Sequence, residues 1–127
     1  LSTVDVPVLV VAGTSDESTP IVPNVTRLWE LGTGSPAYRV DLVDGEHQTF
    51  TDLCAYLEFL PMLDGVPAFV IDTIDDFVGD ACIPTAIDAA RAIELTASYA
   101  IEFLDEVFHG GDAIVATHPD DVIFESR

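Results

Sequence analysis

The chain has 127 residues, 49% of them apolar, and sets 23 aspartates and glutamates against four arginines and no lysine, for a formal net charge of −19. This length suits one ordinary domain with a sizeable core, and a surface so acidic repels nucleic acid and anionic membranes, which excludes both as partners. The longest apolar runs fall well short of the roughly 20 residues of a membrane span, so a soluble chain is expected. The acidic surface itself reads most simply as a solubility device. A calcium site would be the sharper reading, but no D-x-[DN]-x-[DN]-G loop supports it.

The sequence opens at Leu1 and enters an apolar strand within a few residues. It has no charged leader followed by an apolar stretch and a cleavage site. The expectation is a C-terminal piece of a longer polypeptide, with a processed mature domain as the alternative.

Val4 to Ala12 is almost continuously apolar and rich in valine, the pattern of a strand buried on both faces in a helix-covered parallel sheet. Pro7 lies near its start, where a missing N–H is tolerated, and Gly13 ends it. The turn Gly-Thr-Ser-Asp-Glu-Ser-Thr-Pro follows. A helix is expected from Pro20 or Pro23 to Leu31, capped by Thr19, with Val25, Leu28 and Trp29 as its core-facing stripe and Gly32 and Gly34 as its stop. Tyr38 to Val43 is a second strand. Its alternation of Tyr38, Val40 and Leu42 with Arg39 and Asp41 suggests a place near the sheet edge. Strand, helix, strand implies parallel pairing with a right-handed crossover.

Beyond the second strand the chain reads as mostly helical from 50 to 110. Phe50, Cys54, Leu57 and Phe59 or Leu60 are helically spaced up to Pro61. Residues 64–70 read as a loop, and residues 71–80 as a short amphipathic helix with Asp75 and Asp76 on its solvated face. After a break at Ala81–Thr85, a long helix runs from about Ala86 to Phe108 with Ile93, Ala97, Ala100 or Ile101, Leu104 and Phe108 as its apolar stripe. Gly110 and Gly111 end it. Residues 111–127 read as a polar tail with one short apolar run and no assignable structure.

The parallel pairing puts the loops after both strands at the carboxyl edge of the sheet, where open α/β sheets bind ligands. One loop carries Asp16 and the other His47. An imidazole that deprotonates a nucleophile needs a carboxylate to fix its tautomer and stabilise its charged form. Asp16 and His47 suit these two roles, and their order matches the nucleophile, acid, histidine order of the α/β-hydrolase fold. Simpler readings stand beside this one. Asp16 could cap the following helix, and His47 could be a surface or core-edge histidine. Asp44, Glu46 and Asp52 are alternative acids, supports for His47 or plain loop charges. His109 suits a helix C-terminus, His118 a surface position, and Trp29 and the helical aromatics the core.

Pro-Val-Leu-Val-Val-Ala-Gly-Thr-Ser-Asp-Glu-Ser-Thr-Pro, ending at Pro20, resembles the acid-bearing strand and loop of α/β-hydrolases. Val-Asp-Gly-Glu-His-Gln-Thr-Phe-Thr-Asp, with His47, Phe50 and Asp52, resembles their histidine loop. Within that superfamily the likeness is to the dienelactone hydrolase-like and platelet-activating-factor acetylhydrolase-like group, and its motif-bearing part covers about residues 4–56. The resemblance implies that residues 1–127 are the C-terminal part of an α/β-hydrolase domain, with its last parallel strands and flanking helices. It implies hydrolysis of a small carboxylic ester or lactone, Asp16 and His47 as catalytic acid and base, and no metal or organic cofactor. It also implies a Cys54–Cys82 disulfide, since the group can supply a second cysteine from an element like Gly79-Asp80-Ala81-Cys82-Ile83-Pro84. Two free thiols are the alternative. A bridge would favour an oxidising, extracellular setting.

The histidine loop departs from the group's usual G-x-G-H or G-A-G-H in reading Asp44-Gly45-Glu46-His47, so Glu46 is a possible competitor to Asp16. No G-x-S-x-G elbow occurs, and Gly32-Thr33-Gly34-Ser35-Pro36 follows a helix rather than a strand. The nucleophile is therefore expected upstream. The rival readings are a binding module that has lost the nucleophile and an aspartate-nucleophile, dehalogenase-like relative. Oligomeric state is not legible.

Overall fold

The computed structural model describes residues 5–114 and 118–127. It is a mixed α/β arrangement. A three-stranded sheet in the order β1-β2-β3 is formed by β1 (Val8–Gly13), β2 (Ala37–Leu42) and β3 (Val122–Ser126). The helices are α1 (Thr26–Leu31), α2 (Leu53–Phe59), α3 (Ala68–Val78) and α4 (Ala89–His109). Short 3₁₀ turns at His47–Phe50, Leu60–Met62 and Gly79–Cys82 link them.

β1 and β2 are parallel, paired from Val8 with Ala37 to Gly13 with Leu42. The expected pairing is thus present, and Pro7 immediately precedes the strand. The expected start of that strand at Val4 lies outside the described residues. The first helix is shorter than its sequence suggests. Pro23 disfavours helical dihedrals in the residue before it, and Val22 sits at φ −108°, ψ 119°, so Ile21–Val25 is an irregular turn and regular helix begins only at Thr26. Thr19 caps nothing there: Pro20 occupies the cap position, and Thr19 bonds to Asp16 instead.

Two corrections concern β2. It is the central strand, not one near an edge, and all six of its residues are buried. The residues read as a polar tail contain β3, which pairs antiparallel along β2 with Arg39 opposite Glu125 and Val40 opposite Phe124. Arg39 and Asp41 can be buried because they neutralise each other. Arg39 donates through Nε to Asp41 Oδ1 (3.0 Å) and through a second nitrogen to Asp41 Oδ2, and it reaches Glu125 across the ladder at 3.3 Å. Such a two-pronged arginine–carboxylate pair satisfies both partners, so polar alternation did not mean solvent on that face.

The other face of β2 carries Tyr38, Val40 and Leu42, because successive side chains alternate across a strand. They form the core with Ala92, Leu95 and Tyr99 of α4, Ile114 and Val122. Here too the expected stripe is displaced. α4 buries Ala92, Leu95 and Tyr99, whereas Ile93, Ile101, Leu104 and Phe108 are exposed. The helix bears apolar residues on two sides, and the side with Ala92, Leu95 and Tyr99 packs into the core. Asp88 caps α4 by accepting the Arg91 N–H at 3.0 Å. Gly110 ends it in the left-handed conformation, φ 71°, the usual glycine stop.

His118 is not a free surface histidine. Its ring stacks on Phe124 with centroids 3.9 Å apart, and its Nδ1 shares a 2.6 Å hydrogen bond with the Tyr99 hydroxyl. At the other end of β3, Arg127 lies over the Trp29 ring, 4.3 Å from its centroid, and donates to the Gly32 carbonyl at 2.7 Å, tying the strand to α1. α3 starts at Ala68, inside the stretch expected to be a loop. Cys54 of α2 and Cys82 are joined, with S–S 2.13 Å and Cα–Cα 5.5 Å. Among the described residues no helix is long and apolar enough to cross a membrane.

Candidate active site

The loops after β1 and β2 are bound to each other as well as to their strands. Thr14 N–H donates to the Leu42 carbonyl (2.9 Å) and Ser15 N–H to the Gly45 carbonyl (3.0 Å). Asp44 N–H donates back to the Thr14 hydroxyl at 2.8 Å. Asp44 turns the second loop with φ 58°, a left-handed value that aspartate tolerates better than most residues. The two loops touch at Gly13 and Gly45. A Cβ on Gly13 would lie 2.2 Å from the Gly45 carbonyl oxygen, so only glycine permits this approach.

That contact sets Asp16 against His47. His47 Nδ1 lies 3.0 Å from Asp16 Oδ2. Asp16 is buried, with 8% of its surface exposed, while the His47 side chain is 46% exposed. The carboxylate is thus a fixed group behind an accessible imidazole. Thr19 completes its surroundings: its N–H donates to Asp16 Oδ1 at 2.7 Å and its hydroxyl to Oδ2 at 2.5 Å. The same hydroxyl oxygen is 3.4 Å from His47 Nδ1. Burial alone would raise the Asp16 pKa, but the Thr19 hydroxyl and N–H and the His47 contact together outweigh it, and the net shift is downward from 3.8. Asp16 is therefore an ionised acceptor throughout the neutral range, which suits it to hold an Nδ1–H and leave Nε2 as the basic nitrogen.

Of the alternative acids, Glu46 forms a reciprocal capping box with Thr49 at the start of the His47–Phe50 turn. Asp44 serves the loop through its backbone, its carbonyl accepting the Ile87 N–H at 3.0 Å. Asp52 stands at the cap position of α2 without a side-chain cap bond. Asp16 is the carboxylate that His47 meets, and it does not cap the following helix. His109 pairs with Asp105 at 3.1 Å at the exposed end of α4.

Thr19 is the site residue that sequence reading assigned elsewhere. Its signal was present in Asp-x-x-Thr, where a threonine three residues after an aspartate can close a hydrogen-bonded loop on it. Gly13 likewise looked like an ordinary strand ending, and Gly45 was read only as part of the histidine-loop motif. A cleft of about 620 Å³ among the described residues is lined by Cys54, Leu57, Ala81, Cys82, Ile83 and Ile87 among others, and Asp16 and His47 are not in its lining. Among the described residues no group of three or more His, Cys, Asp or Glu side chains is arranged to hold a metal ion. Comparison of the chain with protein-family models, with curated proteins and with solved structures finds no match.

Proposed function

We propose that Asp16 and His47 are the acid–base half of a nucleophile-His-Asp triad, and that the protein hydrolyses carboxylic esters or lactones as a member of the α/β-hydrolases. The observation that carries this reading is the 3.0 Å contact between His47 Nδ1 and a buried Asp16, made by two loops at the ends of parallel strands. In this reading Asp16 holds the imidazole with Nε2 unprotonated. Nε2 takes the proton of the attacking hydroxyl and returns it to the departing alcohol, while the carboxylate stabilises the imidazolium between those steps. Both cysteines are joined to each other, so neither is a thiol nucleophile. The sequence has no serine elbow, and the reading draws the nucleophile and oxyanion donors from upstream of Leu1.

The test is to treat the natural polypeptide that contains this segment with a fluorophosphonate and to locate the adduct by mass spectrometry. An adduct on an upstream serine, lost in His47→Ala together with a drop in kcat of about 10⁴-fold or more, is the expected result. An intact, folded protein with no adduct would overturn the proposal in favour of a binding module or an aspartate nucleophile.

A further inference from the structure

The loop after β1 contains an interaction that a two-residue acid–histidine pair does not require. Thr19 touches both oxygens of Asp16, through its N–H at 2.7 Å and its hydroxyl at 2.5 Å, and the hydroxyl oxygen also lies 3.4 Å from His47 Nδ1. A carboxylate on a short side chain can turn about its terminal torsion, which is broad and roughly two-fold. Two donors from one neighbour, one on each oxygen, fix that turn, because rotation would break both bonds at once. Oδ2 then stays aimed at Nδ1. Once the hydroxyl proton is committed to Oδ2, the Thr19 oxygen retains lone pairs and can act only as an acceptor towards the nearby ring nitrogen. Both effects favour a proton on Nδ1.

We propose that Thr19 is a positioning residue that sets the tautomer of His47, holding the proton on Nδ1 and leaving Nε2 basic. It acts through the orientation of Asp16 and through its own hydroxyl oxygen. This rests on the reading of Asp16 and His47 as an acid–base pair. It goes further in giving a specific chemical task to a residue that neither the sequence pattern nor the triad scheme assigns. Thr19 is exposed, so its replacement leaves the core untouched.

The experiment is ¹⁵N NMR of the histidine rings in the natural polypeptide that contains this segment, with the His47 signal assigned by its loss in His47→Gln, at a pH well above the ordinary histidine value of about 6.5, where the shifts of Nδ1 and Nε2 give the ratio of the two tautomers. The variants are Thr19→Val, Thr19→Ala, Thr19→Ser and Asp16→Asn. Thr19→Val and Thr19→Ala delete the hydroxyl but keep the N–H bond to Oδ1. They are expected to lower the Nδ1–H to Nε2–H ratio of His47 about fivefold, the effect of one ordinary hydrogen bond. Thr19→Ser should restore it. The His118 signal, set by Tyr99 and Phe124, reports an intact fold in each variant. If Asp16→Asn removes the Nδ1–H preference while Thr19→Val and Thr19→Ala leave it unchanged, the role given to Thr19 is wrong and the Asp16–His47 pair stands. If Asp16→Asn itself changes nothing, the pair fails, and the role of Thr19 fails with it.

Discussion

Replacing Asp41 by alanine should be among the most damaging single changes in the sheet. Asp41 is 2% exposed and receives two hydrogen bonds from Arg39, which is itself only 9% exposed. The pair sits on the middle strand with both groups buried, so each depends on the other for its hydrogen bonds. Removing one partner of a buried ion pair costs roughly 3–5 kcal/mol, because a charge is left without compensation. Arg39 keeps a 3.3 Å contact with Glu125, whose side chain is 47% exposed, and this places the expected cost near the lower end, at about 3 kcal/mol. With a urea m-value of about 1.5–2 kcal/mol/M for a chain of this size, the unfolding midpoint should fall by about 1.5–2 M. The double variant Arg39→Met, Asp41→Leu removes both charges and fills similar volume, and should lie within about 1 kcal/mol of the parent. Urea unfolding followed by circular dichroism measures all three proteins. A shift below about 0.5 M for Asp41→Ala, or a double variant as weak as the single one, would refute the claim that mutual neutralisation allows β2 to be central.

Other outcomes follow from the site. The folded-state pKa of Asp16 is lowered from 3.8, so its contribution to stability is fully present above that value and is lost as pH falls through the folded pKa. The difference in urea midpoint between the parent and Asp16→Asn should therefore be constant above about pH 5 and shrink steadily below about pH 4; a difference that grows on acidification would contradict the assigned hydrogen bonds. Gly13→Ala places a methyl group against backbone rather than a movable side chain and should cost about 3 kcal/mol in chemical denaturation. Because the same contact joins the two site loops, it should also weaken the Nδ1–H preference of His47 in ring ¹⁵N spectra, and retention of both stability and tautomer would show that the loops do not depend on it.

The parts of the fold that could be read from sequence were those with strong local signals. β1 is a dense valine run ended by Gly13, β2 follows after one short helix, and α4 ends at Gly110. That Asp16 and His47 are neighbours was legible because parallel topology puts the two loops at the same edge of the sheet, although the Gly13–Gly45 contact that seats one against the other was not. What was hidden depends on contacts far apart in sequence. β3 has only five residues, and its assignment requires a partner some 85 positions earlier, as Arg39 and Glu125 show. The central position of β2 was concealed for the same reason, since Arg39 and Asp41 look solvated until their mutual pairing is known. In α4 the pattern was real but ambiguous: periodicity gives the spacing of an apolar stripe, and with two stripes only the sheet decides which is inside. Thr19 was read as a cap because it precedes a proline and a helix, whereas the nearer acceptor, Asp16, claimed it.

The position of β1 has a colloidal consequence. Among the described residues its ladder partner is β2 alone, so in this segment by itself the other side of a valine-rich strand is open to another strand, the place an upstream strand of the proposed longer protein would take. Lysines commonly blunt such an edge, and this chain has none. For the segment alone, long-range repulsion from its net charge of −19 opposes such pairing near neutral pH. That protection is conditional. It weakens as salt shortens the screening length, and it vanishes near the isoelectric point of about 4.1, where edge pairing and the exposed faces of Phe69, Phe77, Ile101 and Phe108 are no longer opposed. In the isolated segment the acidic surface is the guard of its own sheet.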